Sequence, residues 1–163
     1  MPAASYLVWT NDWLCGVPLI VVNSVIHVAG LGLINRLVGL FKMTSDRSGA
    51  ARPIAVVSAV ALLATLLHGF EASIWAAVYV LLGAIPDFRD AMLFSLNAIT
   101  TYGHDTVSLG KTWRLMGALE ALNGLLMFGL TTAFMFFLMH HLWPALSTAA
   151  PSEFEARKPG SAP

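Results

Sequence analysis

PDFRDAMLFSLNAITTYGHDTVSLGK, residues 86–111, is the stretch that decides how this chain is folded. It lies between two long apolar runs, and its 26 residues are too few for two further membrane crossings but enough for a short helix and an extended return. Pro86 and Asp87 form a helix start signal, Phe88 to Thr100 is a mostly apolar run of helix length, and Gly103 is the expected stop. Arg89 and Asp90 interrupt the apolar character near the start. Non-helical backbone at membrane depth is tolerated only where protein buries it or where it lines a water-filled cavity. Thr100-Thr101-Tyr102-Gly103-His104-Asp105 is therefore either a pore lining or an ordinary extracellular loop.

The flanks supply the membrane. Leu14 to Ile34 has no charged residue, Ile54 to Ile85 has only Glu71, and Leu115 to Trp143 has only Glu120. At the usual helical rise each run is about 30 Å or longer, enough to cross a hydrocarbon core, which predicts three transmembrane helices. The whole composition agrees: 57% of the 163 residues are hydrophobic, 11% are charged, and mean hydropathy is +0.72. Zero net charge removes the basic footprint of a nucleic-acid binder, so no nucleic-acid partner is expected. A single cysteine, Cys15, makes neither an intrachain disulfide nor a thiolate metal site. No Lys or Arg precedes Arg36 and the first run is longer than a signal-peptide core, so it is read as a retained span.

Basic residues orient the chain. Arg36, Lys42, Arg47 and Arg52 crowd the first connection and Arg157 and Lys158 follow the last span, against Arg89, Lys111 and Arg114 on the other side. This places the amino terminus outside and the carboxyl terminus in the cytoplasm. Trp9, Trp13, Trp113 and Trp143 fall where interfacial aromatic belts are expected. The expected division is residues 1–53 as an additional span with its cytoplasmic loop, 54–143 as a second module, and 144–163 as a disordered Ala-, Ser- and Pro-rich tail.

Phe94-Ser95, then Thr100 to Asp105, then Trp113-Arg114-Leu115 leading into Glu120-Ala121 and Gly124, resemble the pore module of the potassium-channel superfamily, in particular its small bacterial two-helix ion channels. His68-Gly69 with Glu71, Ile74-Trp75-Ala76 and Pro86-Asp87 are similar to the outer-helix pattern of that group. The resemblance covers residues 54–143 and implies an all-α fold of outer helix, re-entrant pore helix, filter loop and inner helix. It also implies a homotetramer in the bacterial inner membrane, passing cations without any catalytic cycle. The family's Thr-Val-Gly-Tyr-Gly filter becomes Thr-Tyr-Gly-His-Asp here. Thr101 and Gly103 carry over, whereas His104 and Asp105 replace a tyrosine and a glycine. A ring of aspartates at the outer mouth would concentrate cations, divalent ions suit carboxylate oxygen, and a ring of histidines beside it would oppose the aspartates when protonated. K+ is the permeant ion the family implies, with Na+ or a divalent ion open, and no resident cofactor is expected.

The polar residues inside the spans divide into two groups. Asn23 and His27 lie near the middle of the first span, and His68 lies near the middle of the second with Glu71 one turn away. Opposite chain directions bring His27, His68 and Glu71 to similar depth, where a buried carboxylate needs partners. A clamp between the two helices is the main reading, with proton sensing or metal or haem ligation as alternatives. On the third span Gly117, Glu120, Ala121 and Gly124 share a narrow face. Close packing and a gating hinge at Gly124 or Gly129 both fit that face. Glu120 is placed behind the filter, with Asn97 as its expected partner. Two other classes stay open: a haem- or metal-binding membrane protein using His27 and His68, with His140 or His141 as further candidate ligands, and a nonconducting subunit with a degenerate filter. No nucleophile elbow or nucleotide loop is present in the sequence.

Overall fold

A computed structural model describes residues 3–44, 51–103, 109–110 and 112–147. Four helices follow one another: α1 (Ala3–Thr44), α2 (Ala51–Leu81), α3 (Phe88–Ile99) and α4 (Arg114–Ser147). There is no strand among the described residues. Three segments are long and apolar enough to cross a bilayer, namely Trp9–Leu40, Pro53–Leu81 and Arg114–Leu142. α4 takes in the first residues assigned above to the tail, and α1 and α2 leave a first connection shorter than the sequence suggested.

The helices bury polar side chains together with apolar ones and leave many large apolar side chains outside. Along α1 the buried positions are Asp12, Gly16, Asn23, His27, Leu31, Ile34 and Val38, a single seam at helical spacing with its polar members toward one end. Valines and leucines such as Val21, Val25 and Leu33 point outward. This is the arrangement a hydrocarbon solvent favours, because apolar side chains lose nothing by facing lipid while polar ones must find one another.

Glycines set the close approaches. A methyl group at Gly16 would meet Leu119 Cδ1 at 2.6 Å and one at Gly30 would meet Leu67 Cδ2 at 2.7 Å. Asp12 lies against the backbone of Leu115 in the first turn of α4, where a carboxylate faces that helix's orphan donors. Asp12 with Leu115, Gly16 with Leu119 and His27 with Thr131 show α1 and α4 running side by side in the same direction. α2 runs against both, with Tyr79 beside Glu120 and His68 beside Thr131.

α2 stops at Leu81, four residues before the end of its charge-poor run. Gly83 takes φ +67, and the Gly83 and Ala84 amides bond back to the carbonyls of Val80 and Tyr79. That double bond is a Schellman cap, which needs a left-handed residue that glycine supplies without strain. The chain then turns into α3, whose N-cap is Asp87: its carboxylate accepts the Arg89 and Asp90 amides at 2.9 and 3.2 Å. The start signal at Pro86-Asp87 is thus realised.

Candidate functional site

α3 is amphipathic and buries Ala91, Phe94, Ser95, Ala98 and Ile99 against α2 and α4. Phe94 meets Tyr79 of α2 edge to face, with ring centroids 5.3 Å apart, and lies over Gly117, where a methyl group would approach its Cζ to 3.0 Å. Ile99 lies on Gly124, and a Cβ there would collide with its carbonyl oxygen and reach its Cα at 2.7 Å. α3 therefore runs along α4 from Gly117 to Gly124. Its carboxyl end stands about 15 Å from the start of α4 at the usual helical rise.

The helix ends earlier than Gly103. Thr100 is the C-cap, and Thr101 takes a left-handed φ of +56. The Thr101 and Tyr102 amides bond to the carbonyls of Ala98 and Asn97 at 2.9 and 3.0 Å, a second Schellman cap built on threonine in place of glycine. A β-branched residue in this conformation is a genuine outlier, costing roughly 1–2 kcal/mol. Gly103 follows with φ +98. Thr100, Thr101, Tyr102 and Gly103 are all exposed on the single chain, Tyr102 by 84%. His104 and Asp105 lie outside the described residues.

Behind this turn, Glu120 accepts a 2.7 Å hydrogen bond from the Tyr79 hydroxyl, and both residues are completely buried. Its partner is therefore Tyr79 on α2, not Asn97 as the sequence suggested. From α3 it is Ser95 that lies next to the carboxylate, without a short hydrogen bond to it. Asn97 contributes its backbone carbonyl to the cap at Tyr102. Gly124 is occupied in packing α3, and Gly129 has nothing within 4 Å of a would-be Cβ.

A second polar layer lies about 16 Å further along α4, at Thr131. His27 Nδ1 is 2.9 Å from Glu71 Oε1, and the ring's Nε2 is 3.1 Å from Thr131 Oγ1. His68 Nε2 lies 3.1 Å from the same Thr131 hydroxyl, while its Nδ1 faces Glu71 Oε2 at 3.4 Å. The two imidazoles stand against each other with centroids 5.1 Å apart, and His68 stacks on Phe128 at 4.2 Å. His27, His68, Glu71 and Thr131 thus close a ring that joins all three long helices. Asn23 and Asn123, fully buried along the seam, make no side-chain hydrogen bond among the described residues.

The convergence of His27, His68 and Glu71 matches the sequence reading, whereas Thr131, Tyr79 and Asn123 were not singled out and Ser95 entered only through the resemblance. Tyr79 was within reach: Glu71, Trp75 and Tyr79 repeat every four residues on one face of α2. Thr131 gave no signal, because threonine in an apolar helix ordinarily bonds its own backbone, as Thr132 does to the Phe128 carbonyl. No family model matches the chain, and no curated protein or solved structure matches it.

Proposed function

We propose that the chain assembles as a homotetramer and passes cations along an axis lined by four copies of Thr100 to Asp105. The observation that carries this reading is the carboxyl end of α3. It lies against Gly124, well inside the α4 span, and is followed by exposed backbone with φ +56 at Thr101 and +98 at Gly103. Lipid does not accept such backbone, so it needs other copies or a water-filled passage beside it. The carbonyl end of α3, negative in the helix dipole, then points toward the passage and favours a cation there. Tyr79 and Glu120 brace α3 from behind and do not face the ion. The orientation with the amino terminus outside and a location in the bacterial inner membrane belong to the same proposal.

Flux from proteoliposomes tests it. The purified chain should pass K+, Na+ or a divalent cation, and Gly103→Ala should abolish or change that flux. An assembled, folded protein that passes no cation at any pH or voltage overturns the reading and leaves a nonconducting subunit with an altered filter.

A further inference from the structure

The ring around Glu71 has one side that ordinary hydrogen bonding does not close. With Glu71 ionised and both imidazoles neutral, His27 donates from Nδ1 to the carboxylate and accepts from Thr131 at Nε2, and His68 donates from Nε2 to the Thr131 oxygen. His68 Nδ1 is then left as a lone pair facing the lone pairs of Glu71 Oε2 across 3.4 Å. Neither atom has another hydrogen-bond partner among the described residues, and Glu71 is wholly buried, with His68 7% exposed. Two buried acceptors turned toward each other repel unless a proton or a metal ion stands between them.

We propose that His27, His68 and Glu71 form a buried binding site for one divalent first-row transition ion of the Zn2+ class, with Thr131 holding both imidazoles in place. The nitrogens and the carboxylate oxygen available for ligation lie within 4.8 Å of one another. A tetrahedral ion with bonds near 2.0–2.2 Å spaces its ligand atoms about 3.3 Å apart, and the two imidazoles approach the carboxylate at comparable distances, His27 at 2.9 Å from Oε1 and His68 at 3.4 Å from Oε2. Two imidazoles with one carboxylate is a zinc ligand set that leaves a fourth position for water or an anion. On binding, His27 moves its hydrogen from Nδ1 to Nε2. Both rings then donate to the two lone pairs of Thr131 Oγ1, the partner 3.1 Å from each, which fixes the tautomers as an outer-shell group does. The ion also compensates a carboxylate held away from water. A proton shared between His68 and Glu71 would close the same side of the ring, and it is the convergence of three ligand atoms within 4.8 Å that points to an ion. The site stands apart from the proposed pore and does not depend on it.

The experiment is metal analysis of the full chain expressed in zinc-supplemented medium and purified in detergent without chelator, so that the ion is present while the helices assemble. Wild type and the His140→Ala/His141→Ala double variant should each carry one zinc per chain. Glu71→Gln and His68→Gln should carry none, and Thr131→Val should bind about 10–100-fold more weakly. X-ray absorption on the wild type should show a nitrogen and oxygen shell with imidazole scattering and no sulfur. That measurement keeps the test decisive if the substituted chains do not fold. A metal-free wild type overturns the proposal in favour of a proton-closed clamp. A sulfur ligand from Cys15, or zinc retained in folded Glu71→Gln and His68→Gln, overturns it as well.

Discussion

Thr101 is the one non-glycine residue with positive φ among the described residues, and the sequence on either side of it provides no relief. Left-handed backbone costs a β-branched residue roughly 1–2 kcal/mol, and glycine would remove that while losing about 0.5–1 kcal/mol of chain entropy. Thr101→Gly should therefore raise stability by up to about 1 kcal/mol, read as a higher unfolding midpoint in detergent. The same substitution should lower or alter cation flux, because the side-chain hydroxyl is lost from the proposed lining. A variant less stable than wild type would show that the hydroxyl makes contacts worth more than the strain. At Glu120 the argument reverses, since there the native residues share a hydrogen bond. Tyr79→Phe leaves the buried carboxylate without its 2.7 Å donor, and the expected loss is about 1–3 kcal/mol. A double-mutant cycle with Glu120→Gln checks this, and additive losses would show that the pair is not coupled.

At the scale of elements, α3 is held by what α4 lacks. Gly117 and Gly124, two turns apart on one face, admit Phe94 and Ile99. Gly124→Ala should cost about 1–3 kcal/mol by forcing the end of α3 away, and flux should fall with it. Gly129→Ala meets nothing within 4 Å and should leave stability unchanged or raise it by up to about 1 kcal/mol through helix propensity. Unfolding midpoints of the two variants, set beside their flux, separate packing from hinging: a hinge at Gly129 would show as impaired opening with normal stability. The three long helices were readable from sequence because long runs holding at most one charge, in a chain this apolar, meet the length and polarity that a bilayer demands of a span. The meeting of His27, His68 and Glu71 was readable because helical spacing and opposite chain direction fix depth. The place where α3 stops was not. Glycine is the residue a left-handed cap favours, and Gly83 takes that position after α2, but tertiary packing of Ile99 on Gly124 places the other cap at a threonine, which no local preference favours.

For the whole molecule the question is what covers it. Of the most apolar stretch of each span, 17%, 22% and 22% of residues are buried by the rest of the chain, leaving most of that surface for lipid or for other copies. Lipid suffices for Leu33 or Phe136, whose side chains have no polar group to satisfy. It does not suffice for the backbone from Thr100 to Gly103, and in the proposed assembly a second copy covers that turn. Tyr102 is 84% exposed, and copies arranged around one axis would bring their 102 positions together. In a Cys15→Ser background, Tyr102→Cys should therefore form disulfide-linked dimers in native membranes under mild oxidation. Phe136→Cys, 71% exposed but far along α4, should not. Native mass spectrometry of the unmodified chain should give four copies. Cross-linking at 136 but not at 102 would put the interface on the lower part of α4 and leave the turn facing water, in which case the loop is a surface connection and the axis does not exist.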